Sequence, residues 1–204
     1  MAAGNQKQAG QKRSYKNRYP AWGFCQHHVV CRRCKKGNYF RHNEEQDSHR
    51  HTNGTDDEVS DNEFNRAICT TKPSPLSDQI VKRAKEKGFE IYLATNPVFP
   101  RCATMNRIRW AGLDARDFRT ITTYETCRYC KPNQEYFKKI LEEFQLRPEE
   151  CLMVGNDVGE DLPARELGIR TYLVTDTMEN KKNLPIETDY MGTLAELKEF
   201  IEKM

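Results

Sequence analysis

Residues 1–67 contain no leucine and no isoleucine, and their only valines are Val29, Val30 and Val59. Folding has to offset the entropy of ordering the chain, mainly by burying aliphatic and aromatic surface. A segment this poor in aliphatic side chains has little to bury, so we expect residues 1–66 to be disordered or irregular. In residues 67–204, by contrast, leucine and isoleucine recur in regular clusters from Leu76 onward.

The charge of the N-terminal segment is as uneven as its hydrophobicity. Residues 1–43 carry ten Lys and Arg but no Asp or Glu, whereas residues 44–63 carry eight acidic residues and one arginine. The overall charge of +3 is therefore a cancellation and identifies no partner. Residues 1–20 read as a solvated basic tail, and the alternative interpretation is an arm that binds nucleic acid.

The sequence also lacks long apolar runs. No stretch is long enough to span a membrane, and no signal-peptide core precedes a small-residue cleavage site. The eight cysteines are scattered without a disulfide pattern. We therefore expect a reduced, cytoplasmic protein that does not contact membranes, while the sequence leaves its oligomeric state open.

Cysteine and histidine in the N-terminal segment allow a zinc module. Cys31 and Cys34 have the two-residue spacing of a zinc knuckle, and Cys25 together with His42 or His49 could complete four ligands. The long gap before Cys31 is unusual for such modules. A third interpretation, which we rank above zinc, is that this leucine-free segment results from an out-of-frame or mis-started reading.

Residues 67–204 alternate between helical and strand patterns. Apolar, β-rich segments occur at residues 89–94, 120–122, 152–154 and 172–174, and amphipathic helical patterns separate them. Helix-starting signals stand at Ser74-Pro75 and in the capping-box spacing of Thr193 and Glu196. The alternation predicts an α/β fold, a three-layer, doubly wound (Rossmann-like) parallel sheet.

Polar side chains follow the predicted strands at their carboxyl ends. Thr95 and Asn96 follow the first strand, Lys131 follows the second after a loop, and Asp157 and Asp161 follow the third. Parallel strands bring these ends to one edge of the sheet, where α/β proteins bind their ligands. A hydroxyl, an amide and an ammonium suit phosphate oxygens, and two carboxylates suit Mg²⁺. The simpler interpretation is that Asp157 only caps a helix.

Three motifs in this half resemble those of a known family. Residues Ile91–Asn96, Lys131–Asn133 and Gly155–Asp161 are similar, in order and in placement, to the second, third and fourth motifs of the haloacid dehalogenase (HAD) superfamily of phosphohydrolases. The resemblance covers about residues 64–204. Each motif alone would be a weak signal, and the three together are specific.

The resemblance implies a role for each matching residue. Thr95 would hydrogen-bond the transferring phosphoryl group, with Asn96 beside it. Lys131 would neutralise the charge of the phosphoryl group and position the nucleophile. Asp157 and Asp161 would hold Mg²⁺. Many members of the family place the first acid directly after the glycine, where this chain has Asn156, so Asn156 would stand beside the metal ligands or on the phosphate side.

One part of the family pattern is absent. Its first motif, Asp-x-Asp-Gly-Thr after an apolar strand, supplies the aspartate nucleophile and a second Asp as general acid/base. The nearest string here, His51–Thr55, has His and Asn in the carboxylate positions and follows a polar stretch unsuited to a buried central strand. We therefore expect residues 67–204 to form an incomplete HAD-like core, without its first strand and its cap.

These features predict a Mg²⁺-dependent phosphohydrolase core for a small phosphorylated metabolite, inactive as written because the nucleophile motif is missing. The alternative is a non-catalytic binding protein, in which a degenerate phosphatase core carries a zinc- or nucleic-acid-binding N-terminal arm. Cys127 and Cys130 form a CxxC pair, which we interpret as a coincidence in the loop before Lys131.

Overall fold

A computed structural model describes residues 28–32, 68 and 71–204, with the backbone alone at 28–32. The β-strands are β1 (His28–Arg32), β2 (Phe89–Leu93), β3 (Thr120–Ile121), β4 (Cys151–Gly155), β5 (Arg170–Val174) and β6 (Tyr190–Gly192). The α-helices are α1 (Pro75–Glu86), α2 (Arg101–Trp110), α3 (Gln134–Glu143) and α4 (Leu194–Lys203), and 3₁₀ turns cover Ala115–Asp117, Pro148–Glu150 and Leu162–Leu167.

The six strands form one sheet in the order β3-β2-β1-β4-β5-β6. The pairs β2–β3, β4–β5 and β5–β6 are parallel, whereas β1 is antiparallel to both of its neighbours. The carboxyl ends of β2, β4 and β5 consequently lie along one edge of the sheet, which we call the ligand edge. The predicted α/β class with a largely parallel sheet is confirmed.

The central position of the sheet is filled, although we expected it to be empty. His28–Arg32 occupies it, with Val29 and Val30 opposite Tyr92 and Ile91 of β2 and opposite Met153 and Leu152 of β4. The β-branched valines suit a strand paired on both sides. The rest of residues 1–66 lies outside the described residues, so its expected irregularity and the division at residue 67 stay predictions.

The direction of β1 matters for the ligand edge. Its first residue, His28, pairs with Leu93 and Val154 near the carboxyl ends of β2 and β4, whereas its last residue, Arg32, pairs with Phe89 at the start of β2. The chain therefore leaves this central strand at the edge opposite the ligand edge. In a wholly parallel sheet it would leave at the ligand edge.

Apolar side chains alternate between the two faces of the sheet. Ile91 and Leu93 pack in a core shared with α1, α2 and α4, whereas Tyr92 and Ala94 pack in a second core with α3. This period of two is that of a strand buried on both faces. The sheet is thus the middle of three layers, as the sequence predicts.

Local signals set most element boundaries. α1 begins at Pro75 as expected, but Ser74 makes no side-chain capping hydrogen bond. The helix ends before Gly88, which follows the C-cap residue and has a left-handed φ of +85°. The predicted helix after the acidic loop is only the 3₁₀ turn Leu162–Leu167. The three-residue strand β6 was not expected from the sequence.

No helix in the described part of the chain is long and apolar enough to cross a membrane.

Candidate active site at the ligand edge

Lys131 and Asp161 form a buried ion pair at the ligand edge. The Lys131 Nζ donates to Asp161 Oδ1 at 2.9 Å, and the two side chains are 0% and 1% exposed. Burial lowers the pKa of Lys131, while the carboxylates of Asp161, Glu160 and Asp157 oppose that shift. Asp161 contacts this ammonium group, and Glu160 and Asp157 act on it from further away, so the negative charges acting on Lys131 exceed its single positive charge.

The second oxygen of Asp161 has a partner as well. Asp161 Oδ2 accepts a hydrogen bond from the backbone N–H of Asp157 at 2.9 Å. A Cβ on Gly155 would lie 2.7 Å from the Cβ of Asp161 and closer still to its carboxyl group. The glycine at the end of β4 is therefore what allows Asp161 to fold back over the strand and reach Lys131.

Asp157 organises the loop that follows β4. Its Oδ1 accepts hydrogen bonds from the backbone N–H groups of Gly159 and Glu160, at 2.8 and 3.0 Å. Asp157 thus caps a turn in this loop and not a helix, because the next helical segment is the 3₁₀ turn Leu162–Leu167, whose N-cap is Asp161. One carboxylate oxygen can cap in this way while the other faces a ligand, so capping and metal binding by Asp157 are compatible.

Asn96 and Glu160 link the second motif to the fourth. Asn96 Nδ2 donates to Glu160 Oε1 at 2.9 Å. The Oδ1 of Asn96 is buried and has no hydrogen-bond partner among the described residues. A buried amide oxygen without a donor is costly, so this atom is suited to accept from, or coordinate, a bound group. The sequence did not indicate Glu160 as part of the site.

Thr95 lies in a network of three buried hydroxyl groups. Its Oγ1 donates to the carbonyl of Thr122 at 2.8 Å, and its own carbonyl accepts from the Tyr136 hydroxyl at 2.6 Å. The Tyr136 ring in turn lies 5.9 Å from Lys131 Nζ. The structure thus connects Thr95 to Lys131 through Tyr136, a residue that the sequence did not indicate as part of the site.

Asn156 is held by the chain segment that follows β5. Its Nδ2 donates to the carbonyl of Thr177, and its own carbonyl accepts from the backbone N–H of Glu179 at 2.8 Å. Glu179 O in turn accepts from Val158 N at 2.9 Å. Asn156 therefore anchors the segment after β5 across the fourth motif, and its predicted place beside the metal ligands stays a prediction.

The oxygen-rich donor set of this edge partly fits Mg²⁺. No group of three or more His, Cys, Asp and Glu side chains in the described ranges could by itself hold a metal ion. Mg²⁺, however, needs only one or two carboxylates together with waters and phosphate oxygens. Asp157, Glu160 and the orphaned Oδ1 of Asn96 supply such donors. Both oxygens of Asp161 already have partners, so its predicted metal ligation stays a prediction.

The CxxC cysteines, Cys127 and Cys130, do not join this cluster. The Cys127 and Cys130 thiols are free, Cys127 half-buried and Cys130 exposed, and burial raises the pKa of Cys127, which disfavours the reactive thiolate. Of the zinc candidates, Cys31 lies within β1, and Cys25, Cys34 and His42 lie outside the described residues. The zinc interpretation therefore stays a prediction.

Comparison with known proteins identifies the family. The family model described as haloacid dehalogenase-like hydrolase matches residues 4–168, which is most of the chain. The chain therefore belongs to the haloacid dehalogenase-like hydrolases, as the three motifs indicated. The match begins upstream of β1, so it includes the segment in which the nucleophile motif would be expected.

Relatives and solved structures agree with this assignment. The pyrophosphatase PpaX of Anoxybacillus flavithermus is 30% identical over 112 residues, 54% of this chain and 51% of that protein. PpaX of Halalkalibacterium halodurans is 28% identical over 96 residues, 47% of this chain and 43% of that protein. The chain thus spans about half the length of the curated relatives it matches.

Among solved structures, a HAD phosphatase from Thermococcus onnurineus has a TM-score of 0.57 at 19% identity, covering 70% of this chain and 64% of that one. The HAD-hydrolase YfnB from Bacillus subtilis, bound to magnesium, has a TM-score of 0.51 at 26% identity, covering 60% of this chain and 53% of that one. The first of these similarities shows the fold alone.

Proposed function

We propose that this chain is the phosphate-binding part of a HAD-type, Mg²⁺-dependent phosphohydrolase and that it binds a small phosphorylated molecule without turning it over. The observation that carries the proposal is the buried Lys131–Asp161 pair, which joins the third and fourth motifs at 2.9 Å. A buried ammonium surrounded by carboxylates is costly to maintain for stability alone. Ionisable groups whose pKa is shifted by burial and by a charged partner, at the edge of an α/β sheet, are typical of functional sites.

Each residue has a physical task in this proposal. Lys131 supplies positive charge to the phosphate oxygens, and Asp161 holds that ammonium in place. Thr95 and Asn96 lie at the end of β2, where a hydroxyl and an amide can reach the same oxygens. The Thr95 hydroxyl donates to Thr122 O in this structure, so binding a phosphate through that proton requires it to rotate away from the carbonyl.

Asp157 is the metal ligand in this proposal, with Glu160 and Asn96 completing the protein's share of oxygen donors. Mg²⁺, when bound, supplies charge that neutralises the phosphate oxygens. The negative excess around Lys131 favours a divalent cation at this edge. Asp161 holds the Lys131 ammonium group through Oδ1, and its role as a second metal ligand stays a prediction.

Two observations support the proposed absence of turnover. The sequence contains no Asp-x-Asp-Gly-Thr string, so the carboxylate that would form a phosphoaspartyl intermediate is missing. The antiparallel β1 supports the same conclusion, because Arg32 at its carboxyl end pairs with Phe89, away from the ligand edge.

The substrate class rests on chemistry and on the relatives. A single buried lysine with a few oxygen donors suits one phosphate group of a small molecule rather than a polymer. The named relatives are pyrophosphatases, so orthophosphate and pyrophosphate are the ligands to examine first.

The test combines a binding assay with an activity assay. Calorimetric titration of the full chain with orthophosphate is expected to show binding that Mg²⁺ strengthens. Asp157→Asn keeps a capping side chain but removes its charge, so we expect the Mg²⁺-dependent affinity to fall by about tenfold or more. Asp114→Asn is the matched control, since Asp114 pairs with Arg116 on an exposed 3₁₀ turn. Its affinity should match that of the unmodified chain.

The activity assay uses p-nitrophenyl phosphate and pyrophosphate with Mg²⁺. No turnover above the protein-free rate is expected. Turnover that disappears in Asp157→Asn would show that the inactivity proposal is wrong. A lack of orthophosphate binding with and without Mg²⁺ would contradict the phosphate site itself.

A further inference from the structure

Tyr136 connects the two halves of the site from inside the core. It lies in the first turn of α3, five residues after Lys131, and is 2% exposed. Its hydroxyl donates to the carbonyl of Thr95 at 2.6 Å and lies 3.0 Å from Thr122 Oγ1. The side chain therefore reaches from a helix to Thr95, just after the end of β2, where the second motif ends.

Each of the three hydroxyl groups in the network around Tyr136 can donate one hydrogen bond to an acceptor within the network or next to it. Thr95 Oγ1 donates to Thr122 O, Tyr136 donates to Thr95 O, and Thr122 Oγ1 donates to Tyr136 or to a neighbouring carbonyl. Burial raises the pKa of Tyr136 well above its ordinary value, so its hydroxyl remains a donor. A complete network of this kind fixes the positions of all its members.

The ring of Tyr136 also faces the lysine of the site. Lys131 Nζ lies 5.9 Å from the ring centroid, within the range of a cation–π interaction. Asp161 is the other partner of that ammonium. Tyr136 consequently contacts the cation with its face and the Thr95 backbone with its hydroxyl.

We propose that Tyr136 is a positioning residue that holds the Thr95–Asn96 segment and the Lys131 ammonium in the relative placement needed to bind phosphate. This inference rests on the proposed function for its phosphate-binding consequence. A role in packing alone does not account for the hydroxyl, since phenylalanine would fill the same apolar cluster beside Phe137. The hydroxyl instead ends on the backbone of the second motif.

Tyr92 provides a matched control within the same core. It lies within the second motif, is 1% exposed and belongs to the same cluster, but its hydroxyl donates to Glu90 Oε2 at 2.8 Å, two residues earlier in the chain. Tyr136→Phe and Tyr92→Phe each remove one hydrogen-bonded hydroxyl from a buried ring. Only the first removes a contact with the site.

Two measurements on the full chain test the proposal. Orthophosphate titration with Mg²⁺ should give a Kd about fivefold higher for Tyr136→Phe and unchanged within about twofold for Tyr92→Phe. Amide hydrogen exchange should accelerate at Asn96 and Lys131 in Tyr136→Phe but not in Tyr92→Phe. Thr122→Val, which removes the hydroxyl next to Tyr136 while keeping its shape, should accelerate exchange at Asn96 as well.

The outcomes separate this inference from the proposed function. If the unmodified chain does not bind orthophosphate, the proposed function fails, and the exchange rates at Asn96 and Lys131 still decide whether Tyr136 positions them. Equal Kd values and equal exchange rates in the two tyrosine variants would overturn the positioning role. If Tyr136→Phe does not fold, the exchange pattern of Thr122→Val decides in its place.

Discussion

Lys131 Nζ and Asp161 Oδ1 lie 2.9 Å apart with both side chains shielded from solvent. Replacing only one member of a buried ion pair leaves an uncompensated charge, which costs about 3–5 kcal/mol. We therefore expect Lys131→Met to lower the free energy of unfolding by about that amount in urea titrations.

Lys138→Met in α3 is the control for this change. Lys138 pairs with Glu135 at 2.8 Å, but both side chains are 44% exposed. Such surface pairs contribute about 0–1 kcal/mol. A double variant, Lys131→Met with Asp161→Leu, should recover much of the lost stability because no buried charge remains. Similar losses for Lys131→Met and Lys138→Met would show that the buried pair has no special cost.

The sequence predicted the parts of the site that depend on strand ends. Thr95 and Asp157 each follow an apolar run that ends in polar residues, and parallel strands bring such ends to one edge. Lys131 precedes α3, and the match to family motifs placed it beside them. The structure brings Lys131 and Asp161 of the fourth motif together, while the roles assigned to the site residues stay predictions.

The central strand could not be predicted because its signal is short. Val29 and Val30 are the only adjacent β-branched pair in a segment without leucine or isoleucine. Two valines flanked by His28 and Arg32 do not distinguish a buried strand from a loop by periodicity. Their placement comes from pairing with β2 and β4, which are remote in sequence, so it is a tertiary effect.

The hydroxyl network of Thr95, Thr122 and Tyr136 could not be predicted from the sequence for a different reason. Tyr136 stands next to Phe137 on α3, where an aromatic residue reads as core. Only the three-dimensional path of β2 brings the Thr95 carbonyl to its hydroxyl. Glu160 was hidden likewise, since its partner Asn96 is 64 residues away.

Gly155 provides a second prediction, because an added methyl group would overlap Asp161. A Cβ there would lie 2.7 Å from the Asp161 Cβ, and the contact lies in a buried strand that cannot shift freely. Overpacking of this kind costs about 1–3 kcal/mol or more. We expect Gly155→Ala to lower the thermal midpoint of unfolding and to weaken orthophosphate binding by displacing Asp161 from Lys131.

Gly159→Ala is the matched control in the same loop. Its added Cβ would meet Leu184 Cδ1 at 3.4 Å and Asp157 Oδ1 at 3.5 Å, which are ordinary contacts. This variant should keep both its thermal midpoint and its phosphate affinity. If the two glycine variants have the same thermal midpoint and the same phosphate affinity, the close approach of Asp161 to Gly155 affects neither stability nor binding.

The two helix starts predicted from the sequence, at Ser74 and Thr193, should differ in how much they stabilise the fold. Thr193 caps α4 in a complete capping box with Glu196, whereas Ser74 makes no side-chain hydrogen bond at the start of α1. Thr193→Ala should therefore cost about 1 kcal/mol in unfolding free energy. Ser74→Ala should cost much less, and equal costs in urea titrations would contradict the difference between the two caps.

Asp189 provides a prediction for the pH dependence of stability. Burial acts to raise its pKa, but hydrogen bonds from the backbone N–H and the hydroxyl of Thr171 outweigh it, and the pKa of Asp189 is lowered. The folded chain thus binds this proton less readily than the unfolded chain. Its contribution to stability is present above the ordinary aspartate pKa of about 4 and is lost as the pH falls through the folded value.

Unfolding free energies measured between neutral and acidic pH should therefore fall less steeply for Asp189→Asn than for the unmodified chain. The variant keeps an acceptor for the Thr171 N–H but has no proton to bind, so only the pH-dependent part is removed. Thr171→Val, which deletes one donor to Asp189, should move the carboxyl's titration midpoint upward in NMR. Parallel pH profiles for Asp189→Asn and the unmodified chain would show that Asp189 titrates alike in the folded and unfolded states, against the lowered pKa.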